Sequence, residues 1–393
     1  MESFDLYTPA RILFGKDRQK EVGALLKPLA KKVLIHYGGG SIKATGLYNE
    51  IITSIQAAGV DYVELGGVQP NPRLSLVREG IALCEKEKVD FILAVGGGSA
   101  IDSAKAIAMG VCFDGDVWEI YEKGLPVEKA LPVATVLTIP AAGSESSGDT
   151  VVTNEEKQMK LGYGSPALRP VFSIVNPMLF YTLPKHQIAN GIADMMSHVF
   201  ERYFTNTKHT DLTDGLCEAV LGTMLRHAPV VKEDPEQYDA WAEIGFAGTV
   251  AHNGLLGMGR EQDWACHSME HELSAIYDVA HGAGLAVLTP YWMAYVYRDH
   301  PQMFVQFAVK VMGVQGSFRQ PEDLITEGIR RLRGFFTDMG LPASLTELGI
   351  GSEHLEEMAK KCTAIAYGGR EIPVGGLKKL YWQDVLAIYK MAL

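Results

Sequence analysis

Phe91-Ile92-Leu93-Ala94-Val95 runs directly into Gly96-Gly97-Gly98-Ser99-Ala100-Ile101-Asp102, and then into the helix formers Ser103–Met109. An apolar run, a glycine turn and a helix start, in that order, read as one strand–turn–helix unit of a parallel sheet. Glycines let the backbone approach a ligand closely, and free N–H groups at a helix N-terminus attract phosphate. Ser99 and Asp102 also fit a capping box, with Ser99 as cap and Asp102 three residues on, so this loop alone is equally a well-capped turn. Its spacing is not the GxGxxG of the usual dinucleotide fingerprint.

The pattern recurs on both sides. Lys32–Tyr37 leads into Gly38-Gly39-Gly40-Ser41, and Ala134–Ile139 into Pro140-Ala141-Ala142-Gly143-Ser144-Glu145-Ser146-Ser147. Three strand ends with small, donor-rich loops favour a phosphate-bearing cofactor, because ligands bind at the carboxyl ends of such strands. Tyr62–Leu65 and Phe172–Val175 read as further strands, and Leu47–Ala58 and Ser75–Lys86 as intervening helices. Phe4–Leu6 and Arg11–Phe14 are expected to form a hairpin whose edge pairs with another subunit.

Beyond Leu183-Pro184 the β signal fades, and helical periodicity covers about 186–205, 212–228, 237–257, 264–277, 301–313, 321–339 and 353–367. The expected architecture is therefore α/β plus all-α. Residues 1–185 form a parallel-sheet dinucleotide-binding domain and 186–393 a helical domain, with a substrate pocket between the lobes lined by Trp264, Asn154 and residues 250–256.

Composition narrows the function. The 393 residues are 47% hydrophobic and 21% charged, a globular balance. The net charge of −11 argues against nucleic-acid and anionic-membrane partners. Five widely spaced cysteines, none in CxxC spacing, argue against a disulfide framework. The opening Met1–Asp5 has no leader-like basic or apolar run, and no apolar stretch approaches the ~20 residues of a membrane span, so a cytoplasmic protein is expected.

The second half carries metal-type chemistry. Asp194 and His198 are four residues apart, on one helix face, as are His267 and His271; His281 follows at a loop-to-helix junction. One such pair is ordinarily a satisfied hydrogen-bonded pair, but four of the 11 histidines in two clusters point to a divalent ion such as zinc or iron. His267-x-x-Glu270-His271 also matches the HxxEH of inverzincin peptidases. That reading leaves the glycine loops, Asp194 and His198 without a role. His36, His186, His209, His227, His252, His300 and His354 have no partner at ligand spacing, and Cys266 reads as a small buried residue.

Four stretches together, Gly96–Asp102, Thr138–Glu145, Gly191–His198 and His267–His281, resemble the iron-containing (group III) alcohol dehydrogenases in order and spacing. The Tyr37–Ser41 and Gly143–Ser147 variants are similar to the butanol dehydrogenase and aldehyde reductase branch. The resemblance covers essentially the whole chain and implies a dehydroquinate synthase-like fold, an α/β dinucleotide domain followed by a helical one. It implies Asp194, His198, His267 and His281 as metal ligands, and His271 as a proton relay beside the metal. It further implies a nicotinamide dinucleotide on Gly38, Gly39, Gly40 and Ser41, with its pyrophosphate on Gly97, Gly98 and Ser99. Asp102, Thr138 and Ser147 would line the nucleotide site and Lys160 would lie near the nicotinamide ribose. Two departures are small: the family's Thr-Ala-Gly-Thr-Gly-Ser-Glu is here Ala141-Ala142-Gly143-Ser144-Glu145, and its Asp-Pro is Asn176-Pro177.

Four protein ligands would close a tetrahedral zinc site, so an ion accepting more ligands, Fe²⁺, is expected, with Zn²⁺ a possible substitute. No acid follows Gly38 before Glu50, and Ser41 and Lys43 suit a ribose 2′-phosphate, which points to NADP, with NAD possible. The expected enzyme is a homodimer acting on a short-chain aldehyde or primary alcohol. Polyol dehydrogenases and dehydroquinate-type lyases share the scaffold, and a non-catalytic nucleotide-binding protein is the alternative of another class.

Overall fold

The computed structural model describes residues 1–316, 320–364 and 371–393. The chain divides into two compact units, one of residues 7–182 and 236–249, the other of 1–6, 183–235 and 250–393.

The first unit is built on a six-stranded sheet. Its strands are β1 (Arg11–Phe14), β2 (Lys32–Tyr37), β3 (Asp61–Leu65), β4 (Phe91–Gly96), β5 (Val133–Leu137) and β8 (Phe172–Val175), and a separate hairpin comprises β6 (Asp149–Asn154) and β7 (Met159–Gly164). The sheet order is β1-β8-β5-β4-β2-β3, and every neighbouring pair is parallel. β4 and β5 are buried along their whole length, as apolar strands covered on both faces must be. Leu47, Ile51 and Ile55 of helix Leu47–Ala58, spaced one helical turn apart, are buried and pack with Val33, Ile35 and Phe91 in one core cluster. Each such side chain contributes about 1.5–3 kcal/mol by leaving water. His36, one of the histidines without ligand spacing, is fully buried, its Nδ1 2.8 Å from the Leu65 carbonyl and its Nε2 2.8 Å from Ser103 Oγ. Burial pushes its pKa down to about 4, so it is a neutral core residue.

The expected amino-terminal hairpin does not form. Arg11–Phe14 pairs in parallel with β8, whose edge is free, and Phe4–Leu6 is not a strand. Residues 1–6 join the helical unit, where Glu2 N donates to Gly259 O at 2.9 Å and the Met1 ammonium to Lys208 O at 2.6 Å.

The second unit is helical. Its helices include Lys185–Tyr203, Asp211–Glu233, Ala265–Tyr277, His281–Val296, Pro301–Lys310, Pro321–Asp338, Leu355–Cys362 and Trp382–Ala392. Helix Tyr238–His252 runs from one unit into the other: Trp241 packs edge-on to Phe180 and Phe246 to Phe14 in the sheet unit, while His252 belongs to the helical one. The helical reading of 353–367 begins as expected, but residues 365–367 lie outside the described residues. Helix His281–Val296 carried no periodic signal because it is apolar nearly all round, as a helix buried on every side is. Among the described residues no helix is long and apolar enough to cross a membrane.

Candidate active site

Helix Lys185–Tyr203 presents Asp194, His198, Glu201 and Arg202 at intervals that keep them on one side, and all four are buried. Helix Ala265–Tyr277 presents His267, Glu270, His271 and Ser274 in the same way, and His281 is the first residue of the next helix. These elements converge on Asp194. Its Oδ1 lies 3.6 Å from His198 Nε2, 4.0 Å from His267 Nε2 and 3.8 Å from His281 Nε2. Ligands bonded at ~2.1 Å to one ion stand about 3–3.5 Å apart, and the ligand atoms of Asp194, His267 and His281 already lie within 4.8 Å of one another.

The other faces of the rings are fixed. Glu201 Oε1 is 2.8 Å from His267 Nδ1 and accepts from the His267 backbone N–H at 2.9 Å. Glu270, fully buried, is bonded to His281 Nδ1 through one oxygen and to Ser274 Oγ through the other. A carboxylate at Nδ1 keeps the proton there and turns the Nε2 lone pair toward the centre, as metal-ligating histidines require. Consistent with that, His267 Nε2 is buried and has no hydrogen-bond partner. His198 is sandwiched between His252 and His267, with ring centroids 4.1 and 4.8 Å away. Burial first, then the neighbouring His252, His267 and Arg202, hold it well below the usual histidine range, so it offers a neutral ring.

The same geometry disposes of the peptidase reading. An inverzincin glutamate must reach a water, whereas Glu270 is sealed between His281 and Ser274. His271 is partly exposed, and its ring centroid is 5.8 Å from that of His281, beside the cluster. Residues 9–177 match the family described as iron-containing alcohol dehydrogenase, and 188–393 its C-terminal domain.

The chain belongs to the iron-containing alcohol dehydrogenase family.

Among its relatives, NADH-dependent butanol dehydrogenase A of Clostridium acetobutylicum is 41% identical over 99% of each chain. NADPH-dependent aldehyde reductase YqhD of Escherichia coli is 35% identical over 92% of this chain and 93% of that one. The crystal structure of NADH-dependent butanol dehydrogenase A from Thermotoga maritima superposes with a TM-score of 0.95 at 39% identity, covering 100% of this chain and 99% of that one.

The residues expected to hold iron thus fit an ion of this family by their donor set, their spacing and their carboxylate partners. Glu201 was invisible in the sequence as a partner of His267, 66 residues away, although it sits three residues past His198. Trp264 stands edge-on to the ring of His267 at 5.1 Å, and His252 Nδ1 accepts from Arg202 Nη2 at 3.0 Å. Cys266 is buried and its thiol is pushed well above the ordinary range, so it is inert. Replacing Glu270 with Gln removes the charge that supports His281; iron affinity is expected to fall about 10–100-fold, read by competition with a chelator.

The glycine loops belong to the sheet unit. Gly97 is the uncapped start of helix Gly98–Val111, so the Ser99–Asp102 capping box does not form. Asp102 turns inward instead, accepting from Ser144 Oγ at 2.6 Å and Val151 N at 3.0 Å. A Cβ on Gly97 would stand 2.8 Å from Ile139, and one on Gly98 2.9 Å from Ala142, so both positions are closed to side chains. Gly39 and Gly40 face open space and Ser41 is exposed, while Thr138 N donates to Gly96 O at 3.0 Å. Ser147 is buried, its Oγ accepting from Asp149 N at 3.2 Å, and Lys160 is buried on β7 opposite Thr153. Asn154, at the end of β6, accepts from Lys157 N at 3.1 Å.

The acid missing after β2 in the sequence arrives from the next strand. Glu64 accepts from Tyr37 OH at 3.0 Å and from Tyr48 OH, and lies 4.0 Å from Lys43 Nζ. Lys43 in turn stands over both rings, 5.2 Å from Tyr37 and 4.7 Å from Tyr48.

Proposed function

We propose that this protein is an iron-dependent oxidoreductase that moves a hydride between NAD(P)H and a short-chain aldehyde or primary alcohol. The observation that carries the reading is the convergence of three imidazole nitrogens on Asp194 Oδ1, with two of the rings backed by Glu201 and Glu270. When bound, iron supplies Lewis acidity to a substrate oxygen and the nicotinamide supplies or accepts the hydride. The chain's own residues do the rest. Asp194, His198, His267 and His281 hold the ion, and the glutamates keep His267 and His281 in one tautomer. His271, beside His281 and partly open to solvent, gives a proton to the substrate oxygen or takes one from it. Gly97, Gly98 and Ser99 bind the pyrophosphate at an uncapped helix start, with Asp102, Thr138, Ser147 and Lys160 around the nucleotide.

Butanal and butanol should give higher kcat/KM than glycerol or 1,3-propanediol in steady-state assays. A preference for the polyols would replace this reading with a polyol dehydrogenase.

NADP is the proposed cofactor. Both oxygens of Glu64 are occupied by tyrosine hydroxyls, and Lys43 is the cation left to meet a 2′-phosphate. Lys43 is half exposed, so solvent screening limits its contribution to roughly a few-fold. Lys43→Met should lower the NADPH-to-NADH ratio of kcat/KM by that factor, and Glu64→Gln should raise it. Opposite or absent shifts would remove the 2′-phosphate from this corner.

A cytoplasmic homodimer is part of the same proposal. All five cysteines are free, β1 is an edge strand of its sheet, and Tyr7 in the same unit is 67% exposed.

A further inference from the structure

Lys105 is a lysine without a surface. It lies on helix Gly98–Val111 one turn past Asp102 and is 0% exposed. Its ammonium donates to Ser144 O at 2.7 Å, Ser144 Oγ at 2.8 Å, Ser147 O at 2.9 Å and Asp149 O at 2.8 Å, with Ser147 Oγ at 3.5 Å. A buried charge is costly unless it is fully bonded, so five oxygens from one turn are a specific arrangement. The turn leads from the end of β5 into β6. Ser144 ties it to Asp102, and Thr150 Oγ1 donates to Asp102 O at 2.8 Å. One ammonium thus fastens the 144–149 turn to the helix whose first residues form the glycine loop.

We propose that Lys105 is a positioning residue for the nucleotide: its ammonium fixes the Ser144–Asp149 turn against the start of helix Gly98–Val111 and thereby sets cofactor affinity, with no part in metal binding or hydride transfer. The proposal rests on the reading that the nucleotide lies on the Gly97–Ser99 and Ser144–Ser147 loops. An ammonium has three protons for these oxygens, whereas a neutral amine has two and turns a lone pair toward a carbonyl. The charged groups around it are Asp102 on its own helix, Glu145 and Asp149 on the turn, and Arg169. Burial lowers its pKa to about 8, against the opposing pull of Asp102, Asp149 and Glu145. Cofactor affinity is therefore complete below that pH and declines as pH rises through it.

The experiment is a fluorescence titration of iron-loaded enzyme with NADPH from pH 6.5 to 9.5, for wild type and Lys105→Met. Wild-type Kd should rise as the pH passes about 8. Lys105→Met should bind at least roughly tenfold more weakly at every pH, with no rise, while its iron content and its kcat at saturating NADPH stay near wild type. A variant that binds like wild type, a flat wild-type profile, or a loss confined to kcat would each overturn the proposal. If Lys105→Met does not fold, Lys105→Ala titrated with propylammonium decides: recovery of NADPH affinity supports the role, and no recovery overturns it. Wild type that binds no NADPH at any pH would instead overturn the nucleotide reading itself.

Discussion

His267→Ala should lose iron and turnover together while keeping its fold and its hold on the cofactor. His267 is buried, its Nε2 faces Asp194 Oδ1 at 4.0 Å, and its Nδ1 is held by Glu201. The substitution removes one of four donors and leaves the Glu201 carboxylate with the residue-267 backbone N–H but without its imidazole partner. A buried charged group that loses a partner costs about 3–5 kcal/mol, less here because the backbone N–H of residue 267 still donates to Glu201. Iron should fall from about one ion per chain to background, because the remaining donors no longer enclose the ion. The glycine loops lie in the other compact unit, so the Kd for NADPH should stay within about twofold. Metal analysis, circular dichroism and cofactor titration on the same sample separate these outcomes. Iron retained at wild-type occupancy would show that His267 is not a ligand.

Gly98→Val should do the reverse, keeping iron and losing the cofactor. Gly98 opens its helix with no side-chain cap, and a Cβ there already stands 2.9 Å from the Cβ of Ala142. The two methyl groups of valine would lie over the free N–H groups of the first turn, where phosphate oxygens bind. A hydrogen bond to a charged group is worth about 1.5–3 kcal/mol, so losing one raises Kd roughly 10–100-fold. With the metal cluster in the other unit, iron content should be unchanged. Unaltered NADPH binding in this variant would move the pyrophosphate away from the Gly97–Ser99 loop.

Features carried by local pattern are legible in the sequence. The strand and glycine turn at Phe91–Asp102 and the helix Leu47–Ala58 are local: apolar period, glycine and helix start all fall within a few residues. The spacing of Asp194 with His198 and of His267 with His271 is local too. What was not legible depends on contacts across the chain. Whether Arg11–Phe14 turns back on Phe4–Leu6 or joins the free edge of β8 is decided by Phe172–Val175, far along the sequence. Hairpin β6–β7 was missed because its strands mix Thr, Lys and Gly with the apolar residues, so neither reads as a clean alternation. Glu201, Glu64 and Lys105 each act on a partner that only the fold brings near: His267, Lys43 and the Ser144–Asp149 turn. Glu270 was legible as a residue but not in its role, since the HxxEH pattern suggests a catalytic base and the structure gives it to His281.

Asp194, His198, His267 and His281 are proposed to hold an iron ion required for hydride exchange with a nicotinamide cofactor. The most direct test is steady-state oxidation of NADPH and NADH with butanal, by protein loaded anaerobically with Fe²⁺ and by the same protein stripped of metal. Turnover that appears with iron, disappears on stripping and returns on reloading, with NADPH preferred, is the predicted result. Equal turnover by the stripped protein would contradict it.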